Sequence, residues 1–522
     1  LRGTDSDHVL VLVDGIQVGS ATLGLTAFQD LPVAQIERIE VVRGPRSSLY
    51  GSEAIGGVIQ IFTRRGSGAV RPFASFGAGT YETWEATAGV SGSVGRGHFS
   101  LSASGVDTGG FDACSGDPVT FAGCAADDPD DDGYRNLSGA FRGGYRFANG
   151  VEVSGHALHA DTDNEFDGSF VDSSEGVQQV LGASLGFSPA EAWRATLRAG
   201  RSRDELDSFK DGAFRTRFDT ERDTVSLQND VTLGTGRLLT VGADYQEDRV
   251  ASNEDFAVTS RETTGVFGQY QATYGAQDVQ AALRHDDNEQ FGGETTGSAA
   301  WGYGLGHGVR LTVGYGTAFK APTFNDLYFP GFGNPELDPE RSRSLEVGLG
   351  GDPSWGSWSV AAYRTEIEDL IAFDSTTRAP ANVADSRIHG IEGALLTEIR
   401  DWVLDATLTL LDPENRTSGA NEGNRLPRRA ERSLRIDADR DFGRYSLGAT
   451  LLAEGRRYDD LANRRELGGY ATVDLRGEYR LAPAWKLQAR ITNLFDKEYE
   501  TAAFFNQPGR SLFVTLRYAP GA

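Results

Sequence analysis

Trp402-Val-Leu-Asp-Ala-Thr-Leu-Thr-Leu410 decides the fold. Trp402, Leu404, Ala406, Leu408 and Leu410 are apolar, while Asp405, Thr407 and Thr409 between them are polar. Alternation at period two gives a strand with one apolar and one polar face. The pattern recurs in His98-Phe-Ser-Leu-Ser-Ala-Ser104, Val309-Arg-Leu-Thr-Val-Gly-Tyr315, Trp358-Ser-Val-Ala-Ala-Tyr-Arg364 and Leu512-Phe-Val-Thr-Leu-Arg-Tyr518. From about residue 71 to the end, 22 such stretches are read, beginning near 71, 80 and 96 and ending with those near 468, 484 and 509.

Their connections are unequal. Long ones are expected at 108–135, 164–174, 207–219, 251–260, 319–340, 367–386, 414–427, 456–467 and 497–508. Tight ones fall near Ala148-Asn-Gly150, Gly234-Thr-Gly-Arg237, Gly306-His-Gly308 and Ala482-Pro-Ala484. An even number of strands, with long loops at one end and tight turns at the other, is the layout of an outer-membrane barrel. Closing the sheet satisfies every backbone group, which lipid requires. A propeller, the soluble alternative, needs a fixed repeat per blade, and none is found.

Composition agrees. Over 522 residues, 50 Lys+Arg stand against 75 Asp+Glu, a formal charge of −25. Nucleic-acid binding needs a basic face and is excluded. No apolar run reaches the roughly 18 residues of a spanning helix. With 28 Phe, 17 Tyr and 7 Trp, the chain is too aromatic to be disordered. No Gly-x-Ser-x-Gly, His-Glu-x-x-His, Walker loop or Cys-x-x-Cys is present, so an enzyme is not expected.

Residues 1–66 differ from the rest. They hold the apolar run Val9-Leu-Val-Leu-Val13 closed by Asp14-Gly15, and Ile36-Glu-Arg-Ile-Glu-Val-Val-Arg43-Gly44-Pro45. A small mixed α/β unit is expected there, set before a barrel over 67–522. A barrel this wide needs a plug, and residues 1–66 are the candidate. Residue 1 is Leu with no basic and apolar leader after it, so the chain is read as a fragment or processed form.

At these residues a family emerges. Leu1-Arg2-Gly3, Val11-Leu-Val-Asp14-Gly15, Ile36 to Pro45, and Leu49-Tyr50-Gly51 through Ala54-Ile-Gly56-Gly57 resemble the plug of TonB-dependent outer-membrane transporters. Tyr315-Gly-Thr-Ala-Phe319-Lys320-Ala321-Pro322, Gly333-Asn334-Pro335-Glu-Leu337-Asp-Pro339-Glu340 and Ile491-Thr-Asn493-Leu494-Phe495-Asp496-Lys-Glu-Tyr499 are similar to its barrel signatures. The resemblance spans the chain and is nearest to the cobalamin transporters of the family. It implies a monomer in the outer membrane of a Gram-negative bacterium, among lipid and lipopolysaccharide. It implies active uptake of a large scarce nutrient, driven by TonB–ExbB–ExbD through an N-terminal coupling segment that this sequence lacks. A ferric-siderophore receptor is the first alternative. A passive porin-like channel is the second, and the plug argues against it. Haem receptors of the family carry a His between the two middle signatures; Lys320 to Gly333 has none.

The resemblance also suggests plug–barrel latches, Arg2 and Arg43 meeting Glu346 and Glu392 on lumen-facing strand positions. Buried Arg–carboxylate pairs are strong and directional. Between 108 and 134 stand seven Asp (112, 117, 127, 128, 130, 131, 132) and no Lys or Arg. Oxygen-rich clusters suit Ca²⁺, and the resemblance implies Ca²⁺ ligands at Asp163, Asp167, Asp172, Asp207 and Asp211; a solvated acidic surface is the alternative. No covalent cofactor is expected. Cys114 and Cys124 lie in the first long loop, and an oxidising compartment permits a disulfide. Substrate contacts are placed at the plug tip, about Gln17 to Phe28, with Gln17, Ser20 and Thr22 foremost, and at the rim residues Arg457 and Tyr458.

Overall fold

The computed structural model describes residues 1–116, 124, 126, 128–374 and 379–521. Asp117 and Asp127 lie outside the described residues. Twenty-two antiparallel strands, from Arg71–Gly79 to Ser511–Tyr518, close into one barrel. The seam is the pairing of the last strand with the first, Phe513 opposite Gly79 and Tyr518 opposite Ala74.

At one end every connection is a short turn, such as 95–96, 235–236 and 307–308. The long loops 112–131, 321–339, 416–431, 455–469 and 493–510 gather at the other end. Two expected loops are corrected. The stretch 207–219 is mostly strand: Trp193–Lys210 and Ala213–Gly234 meet at the two-residue turn Asp211-Gly212. Likewise 367–386 is largely taken up by Gly356–Asp374 and Ala379–Ile399. These strands outrun the lipid, so their outward positions carry paired charges instead of the apolar residues used to find strands. Arg201 bonds Asp223 at 2.7 Å, Arg203 bonds Asp219 at 2.9 Å and Arg249 bonds Glu221 at 3.0 Å.

Below that charged tier the outer wall is an apolar band, with Leu181, Leu227, Leu283 and Ile391 exposed. At the short-turn end it meets aromatic residues. Trp301 stacks with Tyr303, Trp402 meets Phe442 edge-on, and Trp485 lies against Tyr518. An apolar band flanked by aromatics is how a barrel sits in a bilayer. The short turns therefore face inward and the long loops outward.

The plug fills the lumen. Its strands are β1 (Val9–Val13), β2 (Ile16–Val18), β3 (Ile36–Arg43) and β4 (Gly57–Thr63), in the order β2-β1-β4-β3 with β1 and β4 parallel. A single helical turn, α1 (Ser47–Tyr50), precedes β4. β1 is apolar on both faces because both are covered. Val11, Val13, Ile16 and Val18 pack with Leu158 and Val180 of the barrel wall, and Leu10 and Leu12 pack with Ala54 and Val58.

Candidate functional site

The plug's outward loop, residues 19–30, is held from both sides. Ser20 N–H donates to the Leu25 carbonyl at 2.9 Å and Gly24 N–H to the Ser20 carbonyl at 2.8 Å. Gly19 has φ +114°, and a Cβ there would lie 2.7 Å from the Thr26 hydroxyl and 2.9 Å from the Leu25 carbonyl. Only glycine fits that turn. The barrel grips the loop through Phe324 N–H to the Ala21 carbonyl (3.1 Å), Asn325 N–H to the Thr22 carbonyl (3.2 Å), and Ala21 N–H to the Thr220 hydroxyl (3.2 Å).

This changes which side chains face a ligand. Ser20 and Thr22 are buried and bond each other at 2.6 Å. Gln17 is buried too and donates to Glu53 at 2.8 Å. A polar residue at a tip satisfies the tip's own backbone first. Leu23, Leu25, Phe28 and Gln29 are the exposed ones. Beside the loop stands an aromatic group that sequence reasoning missed: Phe218, Phe256 and Phe329 lie with ring centres 6.2–6.3 Å apart, and Phe332 joins Phe329 at 6.4 Å. The signal available was Tyr328-Phe-Pro-Gly-Phe332, but Phe218 comes from strand Ala213–Gly234 and Phe256 from the loop 253–259. Arg457 and Tyr458 form half of a small hairpin with Glu466–Leu467. Arg457 is buried, ion-paired to Glu454 and set over the Tyr470 ring, so it does not reach the mouth.

The acidic loops divide in two. Asp128, Asp130 and Asp167 bring carboxylate oxygens within 4.8 Å of one another. One Asp167 oxygen is buried without a hydrogen-bond partner among the described residues. Burial and the neighbouring Asp132, Asp130, Asp112 and Asp128 push its carboxyl up to about 6. The other expected ligands are not with it. Asp207 is engaged by Arg217. Asp172 accepts from Asp211 N–H at 2.9 Å and lies 3.3 Å from Lys210. Asp211 sits in the tight turn and Asp163 on strand Glu152–Glu165. A carboxylate already neutralised by a cationic side chain has little left for a metal. Cys114 and Cys124 are joined as a disulfide. Cys114 also bridges Phe505, tying loop 112–131 to loop 493–510.

Plug and barrel meet through ions. Arg2 reaches Glu346 at 2.6 Å and Glu392 at 3.4 Å, over the Tyr363 ring. Arg43, half exposed, lies 3.8 Å from Glu392. A further set was not foreseen: His8 to Glu340 at 2.5 Å, Lys320 to Asp7 at 2.9 Å, and Arg429 to Asp5 at 2.6 Å. His8, Lys320 and Glu340 are all fully buried. Burial would lower the His8 pKa, but Glu340 outweighs it and the pKa is raised.

Known proteins share this architecture. The family described as "TonB dependent receptor-like, beta-barrel" matches residues 118–494, and "TonB-dependent Receptor Plug Domain" matches residues 1–58. A vitamin B12 transporter BtuB from Photobacterium profundum is 32% identical over 99% of this chain and 85% of its own length. Another from Vibrio vulnificus is 31% identical with the same coverage. Among solved structures, the siderophore receptor PirA from Acinetobacter baumannii superposes with a TM-score of 0.84 at 18% identity, covering 99% of this chain and 91% of that one. A ferric enterobactin receptor from Pseudomonas aeruginosa reaches 0.85 at 18% identity, covering 99% and 92%. At that identity the likeness is one of fold. Plug, barrel and signatures together make this chain a member of the TonB-dependent receptors of the bacterial outer membrane.

Proposed function

We propose that this receptor imports cobalamin. The observation that carries the reading is full-length similarity, above 30%, to two vitamin B12 transporters. The mouth is compatible with it. A neutral floor of Leu23, Leu25 and Phe28 beside four phenylalanines suits a large ligand with apolar faces. Of the two arginines in Arg456-Arg457-Tyr458, Arg456 lies 3.2 Å from Glu466 and Arg457 is paired with Glu454. The aromatic group is the one feature that favours the second reading, a siderophore, since flat aromatic ligands stack on such rings.

Ca²⁺ is proposed at Asp128, Asp130 and Asp167. A divalent ion there offsets the burial and the like-charge repulsion that raise Asp167, and gives its unpartnered oxygen a ligand. Backbone carbonyls and water complete the six to eight oxygens that Ca²⁺ takes. In the transport cycle the mouth captures ligand, TonB–ExbB–ExbD pulls on the plug from the periplasm, and the Arg2–Glu346/Glu392 pairs release it. The receptor acts as a monomer set in lipid and lipopolysaccharide.

The test is equilibrium binding of cyanocobalamin to the detergent-extracted full-length receptor, first with Ca²⁺ and then with a chelator. Tight binding weakened by chelation, and lost in Asp167→Asn, is the expected result. Binding indifferent to chelator removes the Ca²⁺ site. No binding by a folded receptor, with a ferric catecholate bound instead, replaces cobalamin by the siderophore.

A further inference from the structure

The plug does not seal the lumen evenly. On one wall a cavity of about 380 Å³ lies between plug and barrel. Its lining runs from Thr263 and Asp286, near the outer ends of their strands, to Gln228 and Thr240, near the inner turns. About half of it is uncharged and polar, with five glutamines, Gln17, Gln60, Gln228, Gln246 and Gln269. Its charged members are largely spent on each other: Arg284 pairs with Asp286 at 2.8 Å and bonds Asp244.

The cavity is closed above and continued below. Above, Gln17 bonds Glu53, and Glu53 lies 3.6 Å from the fully buried Arg222, which pairs with Asp248. Glu53 has φ +73°, a strained conformation for a residue with a Cβ. Below, Arg198 and Gln228 line both this cavity and a second one of about 690 Å³. That second cavity shares Arg96, Arg146 and Arg194 with a third at the inner turns. Arg198 faces the plug turn at Gly15, and no carboxylate lies within ion-pair distance of it among the described residues. A larger cavity of about 830 Å³, against strands Val309–Lys320 to Trp402–Asn415, has no such course. Its lining joins inner residues such as Thr312 and Asp352 to Arg2, Glu346 and Glu392, where the ion pairs close it.

We infer that substrate crosses along the wall of strands Trp193–Lys210 and Ala213–Gly234, through a roof at Gln17–Glu53–Arg222 and a neck at Arg198 and Gln228. This rests on the cobalamin reading for its ligand class, a large neutral molecule rich in amides. Glutamine and hydroxyl side chains exchange hydrogen bonds with such a ligand without holding it at one point. Arg198 donates to its carbonyl or phosphate oxygens at the narrowest place. The plug has only to shift its β1–β2 turn and the Glu53 loop for the three cavities to join.

The test uses the full-length receptor in cells, with folding verified by heat-modifiable mobility. Gln228→Trp narrows the neck, and Thr312→Trp places the same bulk in the larger cavity, away from the path. Gln228→Trp is expected to bind cyanocobalamin within about twofold of wild type and to import it about tenfold more slowly, because passage and not capture is blocked. Thr312→Trp is expected to import normally. Wild-type import by Gln228→Trp, or equal loss in both variants, overturns the path. A second readout needs no ligand: in planar bilayers, Gln17→Ala with Glu53→Ala is expected to open a conductance that Gln228→Trp reduces. Failure of wild type to bind cobalamin, with this conductance intact, discards the ligand and keeps the wall. Absence of conductance above wild type discards the wall.

Discussion

At the scale of single residues, the outward loop shows how a polar tip is consumed by its own architecture. Gln17, Ser20 and Thr22 satisfy Glu53, each other and the turn, and the contact surface passes to Leu23, Leu25 and Phe28. Burying an apolar side chain of that size contributes about 1.5–3 kcal/mol. Leu23→Asp is therefore expected to weaken cyanocobalamin binding by about tenfold or more, measured by titration, with Ser20→Ala affecting plug docking first. His8 makes the second residue-level prediction. Its pKa, ordinarily 6.5, is raised by Glu340 against the effect of burial, with Asp5 and Asp7 adding to the pull and Lys320 balancing it nearby. A raised folded pKa stabilises fully below the unfolded value, and the contribution is lost as pH rises through the folded one. Plug release by urea is expected to become easier as pH rises above 6.5 in wild type. That pH dependence is expected to flatten in His8→Gln. The sequence shows Arg2, Arg43, Glu346 and Glu392 as candidates because they stand in recognisable motifs. His8 is silent there, since nothing local tells that Glu340, 332 residues away, will lie against it.

At the scale of elements, strands whose outward face meets lipid are legible and strands that rise past it are not. Apolar alternation marks Leu404 to Leu410; it fails at Arg201 to Asp207, where the outward positions are ionic yet the ladder continues to Lys210 with one register shift between Ser208 and Phe209. The periodicity of two survives in charge rather than in hydropathy, and a search for charged residues at every second position (Arg201, Arg203, Glu205, Asp207) would have found it. Loops behave differently again, because their function depends on cross-chain ties. The Cys114–Cys124 disulfide stands where loop 112–131 joins loop 493–510 through Asn506 N–H to the Ala113 carbonyl (2.9 Å) and Ser115 N–H to the Phe504 carbonyl (2.9 Å). Closing so short a loop is worth about 2–3 kcal/mol. Cys114→Ser with Cys124→Ser is expected to reduce ligand affinity several-fold while leaving the melting of the barrel unchanged, since the disulfide lies outside the strand ladder. Calorimetry on the same preparation separates the two.

At the scale of the molecule, stability resides in the hoop. Each strand bonds two neighbours, no edge remains, and the apolar band with its inner aromatic residues fixes the depth in the bilayer. Leu283, mid-strand and exposed to lipid, is the sensitive position: Leu283→Arg is expected to cost about 2–4 kcal/mol. Gln269→Arg, facing the lumen, is expected to cost far less. Urea unfolding in vesicles measures both.

The order of the plug's ionic contacts along the chain has a mechanical consequence. Arg2, Asp5, Asp7 and His8 each hold a different barrel residue, and all precede β1. A load arriving along the backbone from the amino side meets them in series, like stitches along a seam, so the peak force is set by the strongest single stitch and not by their sum. β1 comes next, and its pairing with β4 is parallel and central, a geometry that resists sliding far better than peeling. The receptor is thus built to yield in two regimes, a soft unpicking followed by a stiff stop. A force trace with several small early ruptures before one large one would be its signature.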